Sequence, residues 1–109
     1  MSGFDPVISL NAHIALLTLV EDAKKELEAV RGIILMATKA LGRSLMAELE
    51  KSREVMKVNK MWVQDSPIGD RRYRYSFSGH RDEHEISQND LDLHRKMIMG
   101  TIEKSLADK

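Results

Sequence analysis

Two histidines, His80 and His84, stand four residues apart with Asp82, Glu83 and Glu85 between or beside them. On a helix the pair would share a face and could grip a divalent metal. The pattern is not the His-Glu-x-x-His zinc signature, because Arg81 follows His80 and Gly79 sits where such a helix would begin. A solvated polar loop over 78–85 is the simpler reading, and no metal ligand is assigned. His80-Arg81-Asp82 spells the tripeptide of kinase catalytic loops, but nothing else of a kinase is present and 109 residues cannot hold one. His13 and His94 fall on helical segments and read as ordinary, partly buried imidazoles. No glycine-rich phosphate loop occurs. The acidic pairs Glu21-Asp22 and Asp90/Asp92 read as solvated helix faces or partners of a helix N-terminus. These residues assign no catalytic group and no cofactor, and the expectation is a protein that is not an enzyme.

The other chemistry is charge and aromatic rings. The chain has no net charge, yet Lys51–Arg81 carries eight basic residues against three acidic ones, a net +5, while the flanking segments are acidic. The same stretch holds the only Trp and both Tyr, in Lys60-Met61-Trp62-Val63 and Arg71-Arg72-Tyr73-Arg74-Tyr75. Guanidinium forks match phosphate oxygens, and Trp or Tyr faces stack on bases. Lys60, Trp62, Arg71, Arg72, Tyr73, Arg74 and Tyr75 are therefore the candidate ligand-binding residues, facing nucleic acid, a nucleotide or an acidic protein surface. The competing reading makes the aromatic rings core and pairs the arginines with acids of the same or a neighbouring chain. Zero net charge also weakens the long-range pull that a general nucleic-acid binder would want.

These residues need elements to position them. Asp5-Pro6 is a helix start, with Asp as N-cap and Pro at the first helical position. Helix-forming sequence then runs to about Val58, interrupted only by Gly32 and Gly42. Leu16, Val20, Ala23, Leu27, Val30, Ile34, Ala37 and Leu41 recur at alternating steps of four and three, a coiled-coil seam. One continuous helix over 5–58 would be about 80 Å long, too long for a compact chain of this size. A break at Leu41-Gly42-Arg43-Ser44 is favoured, giving helices over 6–41 and 44–58, because Gly42 can end one helix and Ser44 cap the next. Gly32 is a poorer break, with no turn-forming neighbour. The alternative is one long helix partnered by another chain.

Residues 58–78 read as a β-hairpin turning at Ser66-Pro67-Ile68-Gly69, which sets Trp62 opposite Tyr73 and gathers Lys60, Trp62, Tyr73 and Tyr75 on one face. A last helix over 88–107 starts at Ser87, with Asp90 in the capping-box position and Ile86 and Leu91 as a hydrophobic staple. Leu91, Ile98, Ile102 and Leu106 form its core face, widened by Leu93 and Met97. The fold class is thus mainly α with a small β-hairpin, in a single domain over 1–109.

Ile14, Leu17, Leu19 and other apolar residues lie off the seam, and a hairpin and one short helix can hardly cover them. A homo-oligomer is expected, with Leu16, Val20, Leu27, Val30, Ile34 and Leu41 at its interface. Cysteine is absent, so disulfides and thiolate metal sites are excluded. The longest apolar run, Ile14–Val20, is interrupted by Thr18 and is far short of the roughly 20 residues that span a bilayer. The expectation is a cytoplasmic chain with no membrane contact. It would be a small non-catalytic binding and assembly protein. The alternatives are a pure protein-interaction adaptor or inhibitor and, further off, a small metal-dependent enzyme using His80 and His84.

Overall fold

The computed structural model describes residues 4–29 and 33–107, with the backbone alone at 27–29, 33–38 and 107. Three helices and three strands follow in the order α1 (Pro6–Ala29), α2 (Ile33–Val58), β1 (Met61–Val63), β2 (Arg72–Phe77), β3 (His80–Glu85) and α3 (Gln88–Ala107). The architecture is mainly helical with a small sheet between helices, as the sequence predicts. Both predicted helix starts are present. Asp5 Oδ1 accepts the Val7 and Ile8 N–H groups at 3.0 and 3.1 Å. Ser87 Oγ accepts the Asp90 N–H at 3.0 Å, and the staple residues Ile86 and Leu91 are 1% and 8% exposed.

The long helical segment breaks elsewhere than expected. Gly42 lies inside α2, while α1 ends at Ala29 and α2 begins at Ile33. Gly32 falls between the two helices, outside the described residues. Packing explains the choice. Helices of 24 and 26 residues lie antiparallel along each other, so each covers the other's apolar stripe. A break at Gly42 would have left a first helix far longer than anything available to cover it. The molecule's longest dimension is accordingly 47 Å.

α1 is the central element, with α2 and α3 packed along it; the sheet joins through β1 against α2 and through His84 against Asn11 of α1. Leu10, Ile14, Ala15, Leu16, Leu17, Leu19 and Val20 are all buried, joined by Leu45, Leu49 and Met56 of α2 and Ile102 of α3. Each such large side chain contributes about 1.5–3 kcal/mol of transfer free energy. Single-chain cover is therefore better than predicted: Leu16 and Val20 of the seam, and the off-seam Ile14, Leu17 and Leu19, are covered by the chain's own elements. Leu41 is half-buried against the same core. Val30 and the side chains of Leu27 and Ile34 lie outside the described residues. On α3, Leu93 and Met97 do not widen the core face; they are 54% and 58% exposed. No helix among the described residues is long and apolar enough to cross a membrane.

The sheet is an antiparallel meander in the order β1-β2-β3. It corrects two expectations. Residues 80–85 are not a polar connector but a full edge strand. Ser78-Gly79, with φ of 49° and 87°, forms a two-residue turn that joins it to β2. Left-handed backbone at both turn positions matches the twist of the flanking strands. The second correction is register. Trp62 pairs with Ser76, not Tyr73, and Met61 and Val63 pair with Phe77 and Tyr75. This is a shift of three residues, and an odd shift exchanges the two faces of a strand. The turn does not close at Ser66–Gly69 with the strands immediately flanking it. Gln64 N–H still donates to Arg74 O at 2.9 Å, so the loop beyond is longer. In the observed register Met61, Val63 and Tyr73 are each 5% exposed against the helices. Trp62 goes to the outside.

Candidate binding face of the sheet

Strand alternation sorts the basic and aromatic residues into two sets. The inner face carries Met61, Val63, Tyr73, Tyr75, Phe77, His80, Asp82 and His84; the outer carries Trp62, Arg72, Arg74, Ser76, Arg81, Glu83 and Glu85. Tyr73 is thus core. Burial first, and the Glu21 carboxylate second, push its phenol above the usual tyrosine value. Tyr75 is half-buried and meets His84 edge-on, with ring centres 6.3 Å apart. Tyr73 presents no free face for stacking, and Tyr75 is turned to the helix side of the sheet. Trp62 does: it is 57% exposed.

Two open depressions flank Trp62, and both are also lined by Gln64 and Ser76. One, of about 590 Å³, lies toward the end of α2 and includes Arg53, Lys57, Lys60 and Asp65. The other, of about 720 Å³, lies toward β3 and includes Arg74, Arg81, Asp82 and Glu83. The α2 side is net positive, whereas on the β3 side Glu83 stands among Arg74 and Arg81, and Asp82 reaches the rim from the helix-facing side of β3. Lys57, Lys60, Arg74 and Arg81 have no ion-pair partner among the described residues. Arg53 is held by Glu50 at 3.1 Å and Asp65 at 3.0 Å. Lys60 has left-handed backbone, φ 57°, a conformation that costs a non-glycine residue on the order of 1–2 kcal/mol. Its neighbours hold it there: Lys60 N–H donates to Lys57 O, and Lys60 O accepts Ser78 N–H at 2.8 Å.

The structure therefore brings Lys60, Trp62 and Arg74 to one surface and sends Tyr73 and Tyr75 inward. Arg72 stays outside but faces Glu85 at 3.7 Å. Arg71 leaves the group. It is left-handed at φ 57°, its guanidinium donates to Gln88 Oε1 at 3.4 Å and lies 3.9 Å from Asp70. Its Nε is buried without a hydrogen-bond partner among the described residues. Arg71 thus ties the β1–β2 loop to the start of α3. Lys57, Gln64, Arg81 and Glu83 were missed as surface members. Lys57 and Lys60, three apart at a helix end, carried a local signal. Arg81 and Glu83 carried none without β3.

The histidines do other work. His80 and His84 lie on a strand, where four residues span about 13 Å, too far for both to grip one ion. No group of three or more His, Cys, Asp or Glu residues among those described is placed to hold a metal. His84 Nε2 is 2.7 Å from Asn11 Oδ1, linking β3 to α1, and burial lowers its pKa. His13 is 1% exposed and its Nδ1 lies 2.7 Å from Ser52 Oγ, linking α1 to α2. Burial pushes the His13 imidazole down to about 4, Arg53 adds to the fall, and Asp65 opposes it. No family model, no curated protein and no solved structure matches the chain.

Proposed function

We propose that this protein is a small non-catalytic binding protein whose outer sheet face engages an anionic partner. The observation that carries the reading is Trp62, 57% exposed between depressions that hold four cations lacking ion-pair partners among the described residues. Arginine and lysine there recognise phosphate or carboxylate, and an exposed Trp supplies apolar contact area with a polarisable ring face. A protein adaptor is the second reading. It is favoured by Glu83 and Glu85, which interleave with Arg74 and Arg72 across β2 and β3 and give the face the mixed charge of an interface rim.

Self-association remains part of the proposal, and because Leu16 and Val20 of the seam are buried within the chain, the surface offered for it is an exposed apolar groove at the seam's start. Ile8 and Met97 are each 58% exposed and flank a groove between α1 and α3 lined by Ala12, Leu16, Ile98 and Ile102.

The single Trp makes a direct test possible. Titration with single-stranded DNA, a nucleotide panel and an acidic peptide should change Trp62 emission for at least one of them. The change should weaken with added salt, because counterions are released on binding. The binding curve should shift to weaker affinity in Lys57→Gln/Lys60→Gln. No change with any probe, from folded protein at low salt, removes the anionic-partner reading and leaves the adaptor.

A further inference from the structure

The two depressions beside Trp62 are not equivalent, and their difference selects a ligand. On the α2 side, Arg53 and Lys57 lie four apart near the end of α2, on one helix face, and Lys60 follows in the turn beyond the helix, so the three cations line one depression in succession. Its only lining acid, Asp65, is already bound to Arg53. Separate cations spread around one open depression fit a chain of repeated anions better than one compact anion.

On the β3 side the chemistry is mixed. Arg74 and Arg81 offer planar donors, Glu83 offers acceptors, and Gln64 offers both. The Asp82 carboxylate is occupied locally, accepting the Glu83 N–H at 2.7 Å. Such a set repels bare phosphate at Glu83 but matches the donor and acceptor edges of bases. Trp62 stands between these cations and the mixed side, where a flat ring would lie.

We infer that the partner is single-stranded nucleic acid, with its phosphates along Lys57 and Lys60. One base stacks on Trp62, and base edges turn toward Gln64, Arg74, Arg81 and Glu83. This rests on the reading of the outer sheet face as an anionic-partner surface and adds ligand class and polarity to it. A duplex is disfavoured, because its bases are already stacked and cannot cover Trp62.

The test is fluorescence anisotropy of dye-labelled oligothymidylate of about eight nucleotides, within the usual site size for such surfaces, measured at several salt concentrations. Unlabelled competitors are thymidine monophosphate, duplex DNA, oligoadenylate and an acidic peptide. Thermal melts confirm that each variant is folded. Lys57→Gln/Lys60→Gln should lower the salt slope by about 1.4, since each lost contact to a single strand removes about 0.7. Trp62→Leu should weaken binding about fivefold to a hundredfold. Arg74→Gln/Arg81→Gln should change the ratio of oligoadenylate to oligothymidylate affinity while moving the salt slope less than the lysine pair does. Equal competition by the monophosphate and the oligomer would overturn the strand proposal and leave the anionic-partner reading intact. So would binding of the acidic peptide alone, or preference for the duplex. Equal salt-slope losses in the two double variants would overturn the assigned polarity. Absence of binding by any probe would remove both readings together.

Discussion

His13 should make this protein acid-labile, by an amount the structure sets. The imidazole is 1% exposed, held between α1 and α2 by Ser52. In the unfolded chain it titrates near its ordinary 6.5; in the fold, burial and then Arg53 bring it down to about 4, against the opposing pull of Asp65. Between those two values the unfolded state takes up a proton that the folded state refuses. Stability is therefore full above about pH 6.5 and is lost as pH falls toward 4. Each pH unit of the gap is worth about 1.4 kcal/mol, so the ceiling is about 3 kcal/mol, a large share of the 5–15 kcal/mol typical of a domain. His84, also lowered by burial, acts in the same direction. The informative quantity is therefore a difference. Urea melts of the wild type and His13→Gln, taken at steps from pH 7 to pH 4, should diverge in slope. The wild type should lose about 2–3 kcal/mol more than the variant across the range, whatever the offset between them at pH 7. Parallel profiles would refute the reasoning, and so would an NMR titration in which the His13 ring protonates near 6.5 in the folded protein.

Gly42 lies inside α2, and a Cβ there would meet nothing within 4 Å. Gly42→Ala should accordingly raise stability by about 0.5–1 kcal/mol in a thermal or urea melt; a fall would place a helix break at that position after all. Self-association through the α1–α3 groove predicts a dimer or higher oligomer by light scattering at micromolar concentration. Met97→Asp should convert it to monomer without loss of helical circular dichroism, and a wild type that is already monomeric would remove the interface.

Much of this fold was legible from local chemistry. Asp5-Pro6 and Ser87 mark helix starts because short polar side chains satisfy the free N–H groups of a first helical turn, and that requirement is met within three residues of sequence. The heptad run announced long helices, and the aromatic and basic stretch announced strands. What remained open depended on partners distant in the chain. The helix break was settled by matching the lengths of α1 and α2, so a glycine with turn-forming neighbours stayed helical. The hairpin register was settled by which side chains the helices could cover, namely Met61, Val63 and Tyr73, and a shift of three residues turned Trp62 outward. β3 was invisible because an edge strand with mostly solvated side chains shows no apolar alternation; only the Ser78-Gly79 turn hinted at it. The candidate site followed the same division. Composition identified Lys60, Trp62 and Arg74 as residues with binding chemistry. The pleat of the folded sheet separated them from Tyr73 and Tyr75 and set Arg81 and Glu83 beside them, because facing is a property of paired strands and not of either strand alone.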